Sequence, residues 1–320
     1  MCSTHIFCET FSSGLSYKTT TSFTSSNSSF TECVRKHYLY TQLISNSNYN
    51  DDSCRTDCTF DHHHLALSTS IPNVKYVFIS SKWISCSANY GGGIYLSASN
   101  TGPLSVTNGE FYSCTSSYRG GGIYIEIISK VEVTKTLFHA CIAQATADYG
   151  GGGINIDTIQ QFPSIECTSF ISCTSGNDGG GVALWTNPQI QKTCLSDSLF
   201  IGCKGLSKVG SDGGSFILWR SDAAIGCSNT LFVDSHSEFH GGAISYYIYK
   251  TVPHQKSIPL FSFCFFHKNT CSAGNDVFLE EWTPDDPFLL SFSTTSSSRV
   301  VYVKDDTNWT NPSAYQNKDN

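Results

Sequence analysis

Short bursts of apolar residues two positions apart recur along this chain. Ile94-Tyr95-Leu96, Ile123-Tyr124-Ile125 and Ile154-Asn155-Ile156 are the clearest, and that period belongs to a strand with one buried face. A run of glycines precedes each burst, and an aromatic-x-x-Cys step precedes each run. Trp83 to Cys86 leads to Gly91, Phe111 to Cys114 to Gly120, Phe138 to Cys141 to Gly151, and Phe170 to Cys173 to Gly179. Phe200 to Cys203 leads to Gly213, Phe232 to Ser235 to Gly241, and Phe266 to Asn269 to Gly274. Seven units result, with the aromatic residues 27 to 34 positions apart, which is the spacing of a repeat architecture. One short strand cannot bury its own apolar face. Stacked on its equivalent in the next unit, at roughly 4.8 Å, it forms ladders of like side chains joined by main-chain hydrogen bonds. The glycines are expected to supply tight or positive-φ corners between sheets. Leucine-rich and helical repeats do not fit, because the L-x-x-L-x-L pattern is missing and recurrent glycine pairs would damage helices.

The chain therefore reads as all-β, a right-handed parallel β-helix (a solenoid) of about seven to nine rungs, with an irregular N-terminal cap and a polar C-terminal tail. Phe30 to Cys33 and Phe60 to His63 keep the aromatic spacing without the glycines and are expected to be degenerate rungs. The expected division is a cap with a degenerate first rung over 1–59, the β-helix over 60–282, and a capping segment and tail over 283–320. Val300 to Val303 alternates like a strand and is expected to cover the open end of the stack, where strand edges would otherwise be unpaired.

The motifs carry a resemblance. Gly241 to Ile244 reads G-G-A-I and Phe266 to Asn269 reads F-x-x-N, the paired motifs of the chlamydial polymorphic outer membrane proteins. The Cys-bearing version resembles the Pmp-like β-helix families of trichomonad parasites, over about Trp83 to Glu280. That resemblance implies a right-handed β-helix with a cell-surface or adhesive role.

Charged residues make up 14% of the chain and the net charge is -7, so there is no basic footprint and nucleic acid is not an expected partner. Fifteen cysteines point weakly to an oxidising compartment. Against this, residues 1–20 lack the basic start and apolar core of a secretory signal, which keeps a cytoplasmic location as the alternative to the surface. No segment approaches the roughly 20 apolar residues of a membrane-spanning helix.

Several residues invite a chemical reading. Cys86, Cys114, Cys141, Cys173 and Cys203 should stack as a structural ladder at one corner. Cross-linking is one reading. Buried free thiols are favoured, because in-register side chains keep Cβ atoms farther apart than a disulfide prefers and because Ser235 and Asn269 take the same place. Cys167, Cys194, Cys227 and Cys264 lie before the aromatics at variable offsets, and sequence does not assign partners to them. Cys54 and Cys58 followed by His62, His63 and His64 have a zinc-like spacing, but no matching pair completes the site, so a polar loop is expected and no metal or cofactor is assigned.

Alternation sends the third residue after each unit's first apolar one to the outer face: Ser97, Glu126, Asp157, Trp185, Trp219, Tyr247 and Glu280. Flat rings beside carboxylates suit a sugar, and the competing expectation is rings covered by a loop or tail. Glu126 and Asp157, one rung apart, are candidates for the acid pair of a glycosidase, yet the face offers almost no further Asp, Lys or Arg around them. Asp178 and Asp212, before consecutive glycine corners, are too few alone for calcium. Asn27 and Asn308 head glycosylation triplets outside the clear rungs. The expected function is a non-enzymatic surface or adhesion protein presenting an extended face to a glycan or host-cell protein. The alternative is a carbohydrate-active β-helix enzyme, a glycoside hydrolase or polysaccharide lyase.

Overall fold

The computed structural model describes residues 76–278 with their side chains, apart from 97–102, 147–149, 160, 162, 186–194, 207–211, 220–225, 248–262 and 273–275. Strand segments at 15–19, 25–29, 39–43, 56–61, 65–67, 193–194, 225, 260–262, 279–280, 301–304 and 309–310 are described as backbone alone. Among these residues there is no helix, and none long and apolar enough to cross a membrane. The chain is a parallel β-solenoid. Its second turn shows the plan: Leu104–Thr107, Glu110–Tyr112, Thr115–Ser116 and Ile123–Ile128. Each of these strands pairs in parallel with its equivalents in the turns before and after, building a first sheet, an aromatic sheet, a short sheet and a glycine-led sheet.

Corners explain the aromatic-x-x-Cys step. The aromatic occupies the inward centre of its three-residue strand, the next residue points outward, the third turns the corner with positive φ, and the cysteine points back into the core. At this corner Ser85, Ser113, Ala140, Ser172, Gly202, Asp234 and Lys268 all have φ between 51° and 62°. The corner between the first and aromatic sheets does the same with Ser80, Asn108, Lys135, Cys167, Asp197, Asn229 and Phe263. Two recurrent corners among the described residues thus run through a left-handed residue that is mostly not glycine, while the positive-φ turn expected of the glycines occurs before the glycine-led sheet, at Gly91, Gly120, Gly179, Gly213 and Gly241. Main-chain bonds continue through these turns, as from Asn108 N–H to Thr134 O at 2.9 Å, and that pairing holds the residue in a conformation it would otherwise avoid.

At the approach to the glycine-led sheet glycine recurs for three separate reasons. Gly120 turns with φ +64°. A Cβ on Gly121 would lie 2.4 Å from the Ile142 backbone nitrogen, and one on Gly122 would lie 2.8 Å from the Phe138 ring. The short sheet and the aromatic ladder therefore sit too close for any side chain at those places.

Inside, Trp83, Phe111, Phe138, Phe170, Phe200, Phe232 and Phe266 form one continuous stack with centroids 4.3 to 5.1 Å apart and planes within 13°. Opposite them lie Ile94, Ile123, Ile154, Val182, Phe216, Ile244 and Val277, all fully buried. Each such side chain contributes about 1.5–3 kcal/mol by leaving water. Beyond the clear rungs, Leu15–Thr19, Leu39–Leu43 and Leu65–Leu67 continue the glycine-led sheet, and Phe60 pairs in register with Trp83. At the other end Val301–Lys304 pairs in parallel with Val277–Glu280, and Trp309–Thr310 adds an antiparallel partner.

Candidate functional site on the outer face of the glycine-led sheet

Three rows of side chains cover this face. The second residue of each strand gives Tyr95, Tyr124, Asn155, Ala183, Ile217, Ser245 and Phe278. Two residues on, register brings together Glu126, Asp157, Trp185, Trp219, Tyr247 and Glu280, the last described as backbone only. Ser97 lies outside the described residues. A third row comes from the position just before the glycines: Tyr90, Arg119, Gly150, Asp178, Asp212 and His240, aligned by bonds such as Gly179 N–H to Asp212 O and Gly213 N–H to His240 O.

This third row corrects the expectation that the face has almost no charged residues beyond Glu126 and Asp157. Strand alternation is counted from the first apolar residue and does not reach across the glycine corner, where the chain folds back over the same surface. The structure brings Arg119, Asp178, Asp212 and His240 onto it.

At the first to third turns the site is a tyrosine cluster around an ion pair. Tyr90 stacks near Tyr118, Tyr124 and Tyr95 at 5.0, 5.3 and 5.7 Å. The Tyr95 hydroxyl donates to Glu126 Oε1 at 2.6 Å, and the Tyr124 hydroxyl donates to Asp157 Oδ2 at 2.7 Å. Arg119 Nη1 lies 2.5 Å from the same Asp157 oxygen, with both side chains partly exposed. Burial holds the Asp157 carboxyl above its ordinary range, while Tyr124 and Arg119 act against that rise and Glu126 adds to it. The Tyr124 phenol is pushed up by burial and by its bond to Asp157.

At the fourth to sixth turns the site is tryptophan and aspartate. Trp219 stacks on Tyr247 at 3.9 Å, with Trp185 5.9 Å along the row. Asp212 takes His240 Nδ1 at 2.7 Å on one oxygen and the Tyr247 hydroxyl on the other. Asp178, 1% exposed, accepts the Asp212 N–H at 2.9 Å. Its carboxyl is pushed well above the ordinary range by burial and by the negative charge of Asp212, with the Asp212 and Trp219 N–H groups acting against that. Both aspartates are engaged by protein donors, and among the described residues no three His, Cys, Asp or Glu side chains are grouped to hold a metal ion.

Ring stacking changes the chemistry expected from the aromatic row. Parallel, in-register strands lay like rings upon one another, so ring faces point along the solenoid and ring edges, hydroxyls and carboxylates point outward. Tyr247 is only 6% exposed and supports Trp219 and Asp212. Trp185 and Trp219 are half-buried, whereas Tyr118, at 42% exposed, is the most open ring on this face among the described residues. Sequence reading missed Tyr90, Tyr118 and Arg119. Their signal was the fixed distance from the glycines.

The cysteine ladder is interior. Cys114, Cys141, Cys173 and Cys203 each donate a thiol hydrogen to the carbonyl of the aromatic one turn earlier, at 3.4 to 3.5 Å. Asn269 Nδ2 makes the equivalent bond to Phe232 O at 3.1 Å, which gives the F-x-x-C and F-x-x-N versions one physical role. Cys86 and its successors are wholly buried, and burial pushes the Cys141 and Cys203 thiols up, which disfavours the reactive thiolate. Cys54, His62, His63 and His64 lie outside the described residues, and Cys58 is described only as backbone in Thr56–Asp61.

No family model, curated protein or solved structure matches the chain.

Proposed function

We propose that this is a non-enzymatic, adhesion-type β-helix protein whose glycine-led sheet presents its outer face to a glycan. One observation supports this above the rest: rings and an arginine concentrate on that face, whereas among the described residues the outward positions of the first sheet hold no ring and are mostly small hydroxyls, Ser105, Thr107, Thr134, Ser164, Ser196 and Ser228, with Glu132 and Glu166 as its carboxylates. Among the described residues Tyr118 offers a sugar the most open ring, Arg119 and Glu126 offer a donor and an acceptor on the same face, and Trp185 and Trp219 extend the strip. The G-G-A-I and F-x-x-N motifs add the likeness to Pmp-type surface proteins, and a cell-surface location belongs to the same proposal.

Retention on immobilised glycans, with reducing-sugar release monitored in parallel, tests the reading. Retention without release is expected, weakened about tenfold by Tyr118→Ala or Trp185→Ala. Release that disappears in Glu126→Gln or Asp157→Asn would replace it with the carbohydrate-active enzyme. Retention indifferent to all four substitutions would sink the outer-face site, and protection from protease on intact cells would remove the surface role.

A further inference from the structure

We infer that Cys227 and Cys264 are a disulfide-forming pair that fastens the seventh turn to the sixth. Their Sγ atoms lie 3.3 Å apart, and Cys264 Sγ is 3.4 Å from the Cys227 carbonyl oxygen. Both side chains are buried, at 1% and 0% exposure.

The two positions belong to different rows of the fold, and each is a thiol where the earlier turns have something else. In the row of Cys227 the preceding residues are Phe78, Val106, Val133, Ile165 and Leu195, all apolar. In the row of Cys264 stand Ser81, Thr136, Thr168, Ser198 and Thr230, whose hydroxyls donate to the carbonyl two residues back. Thr168 also donates to Val133 O at 3.3 Å, the bond that Cys264 makes to Cys227 O. Gly109 takes this place in the second turn. Elsewhere the row beside the apolar one carries a hydroxyl, and between the sixth and seventh turns the two rows meet as thiol against thiol.

Geometry separates this pair from the corner ladder. Ladder cysteines are in-register equivalents whose Cβ vectors run parallel, which a disulfide tolerates poorly. Cys227 instead pairs laterally with Phe261, and Cys264 lies three residues further on, beyond the corner at Phe263. The two thiols thus converge from different backbone positions. Closing the bond removes two protons and two electrons from them. A small disulfide such as oxidised glutathione accepts both by exchange: its own S–S bond breaks, two glutathione thiols leave, and one S–S bond forms in the protein. The bond would link residues 37 apart and tie the seventh turn to the sixth.

Refolding the full chain from denaturant in a glutathione redox buffer gives every cysteine access to the oxidant. Alkylation followed by peptide mass analysis should return a cross-linked Cys227–Cys264 peptide lighter by two hydrogens than the sum of its parts. Urea unfolding should then show a higher midpoint for oxidised than for reduced protein. A Cys227→Val, Cys264→Thr variant restores the pairing of the earlier turns, so it should fold and lose that difference. Free, alkylated Cys227 and Cys264 after refolding, bonds from either to other cysteines, or an unchanged redox difference in the double variant would each overturn the assignment.

Discussion

A carboxylate, a phenol and a basic nitrogen meet twice on the outer face of the glycine-led sheet, with different consequences. At the second and third turns they are Asp157, Tyr124 and Arg119; at the fifth and sixth they are Asp212, Tyr247 and His240. The Arg119 and Asp157 side chains are 21% and 25% exposed, while Asp212 is 8% exposed and lies against the buried acid Asp178. One triad is partly exposed and built around an arginine that stays charged. The other belongs to the packing, with Tyr247 stacked on Trp219 and His240 stacked on Phe278. Chemical kinship therefore does not imply equal energetic weight.

The largest effect should come from the buried triad. Asp212→Ala strips the acceptor from both Tyr247 and His240, and a buried polar group left without its partner costs on the order of 1–3 kcal/mol. Relief of the charge on Asp178 works in the opposite direction, so a net loss of about 2 kcal/mol in urea unfolding at neutral pH is expected. A loss no greater than that of Arg119→Met would erase the contrast between the two ends.

Asp178 sharpens the same contrast through pH. Its folded-state carboxyl binds a proton more tightly than the unfolded one, so its contribution is fully present below the ordinary aspartate range and is lost as pH rises through that range toward the raised folded value. Asn keeps an acceptor for the Asp212 N–H and carries no charge. Asp178→Asn should therefore gain stability over the parent as pH rises from acid to neutral, as read from denaturant midpoints at several pH values. A constant difference across that range would show that Asp178 is not held toward its neutral form.

Much of this was legible in the sequence, down to the rung pattern and the register of Glu126, Asp157, Trp185, Trp219 and Tyr247. Residues that repeat at a fixed distance from an aromatic or a glycine must stack, because parallel strands admit no other register without exposing the core. The legible part stopped where period two stops. Arg119, Asp178, Asp212 and His240 precede a glycine corner, so counting along the strand could not assign them a face. Left-handed turns at Lys135, Ala140 and Phe263 carry no propensity signal, since the ladder bonds of neighbouring turns impose them. Nor did the spacing of Cys227 and Cys264 show that a strand position and a corner position in successive turns point at each other.

The smallest effect belongs to the exposed triad, and its size decides what that triad is for. Arg119→Met keeps an aliphatic side chain of similar length and removes the charge. Partly exposed ion pairs seldom contribute more than about 1 kcal/mol, so unfolding stability at neutral pH should fall by less than that. Loss of the guanidinium also lets the Asp157 carboxyl rise further, because Arg119 is one of the groups holding it down. Most of the change should therefore appear away from stability: an Asp157 titration at higher pH by NMR, and weaker glycan retention. A stability loss as large as that of Asp212→Ala, with retention unchanged, would assign Arg119 to the scaffold and leave the tyrosine cluster without its donor for a ligand.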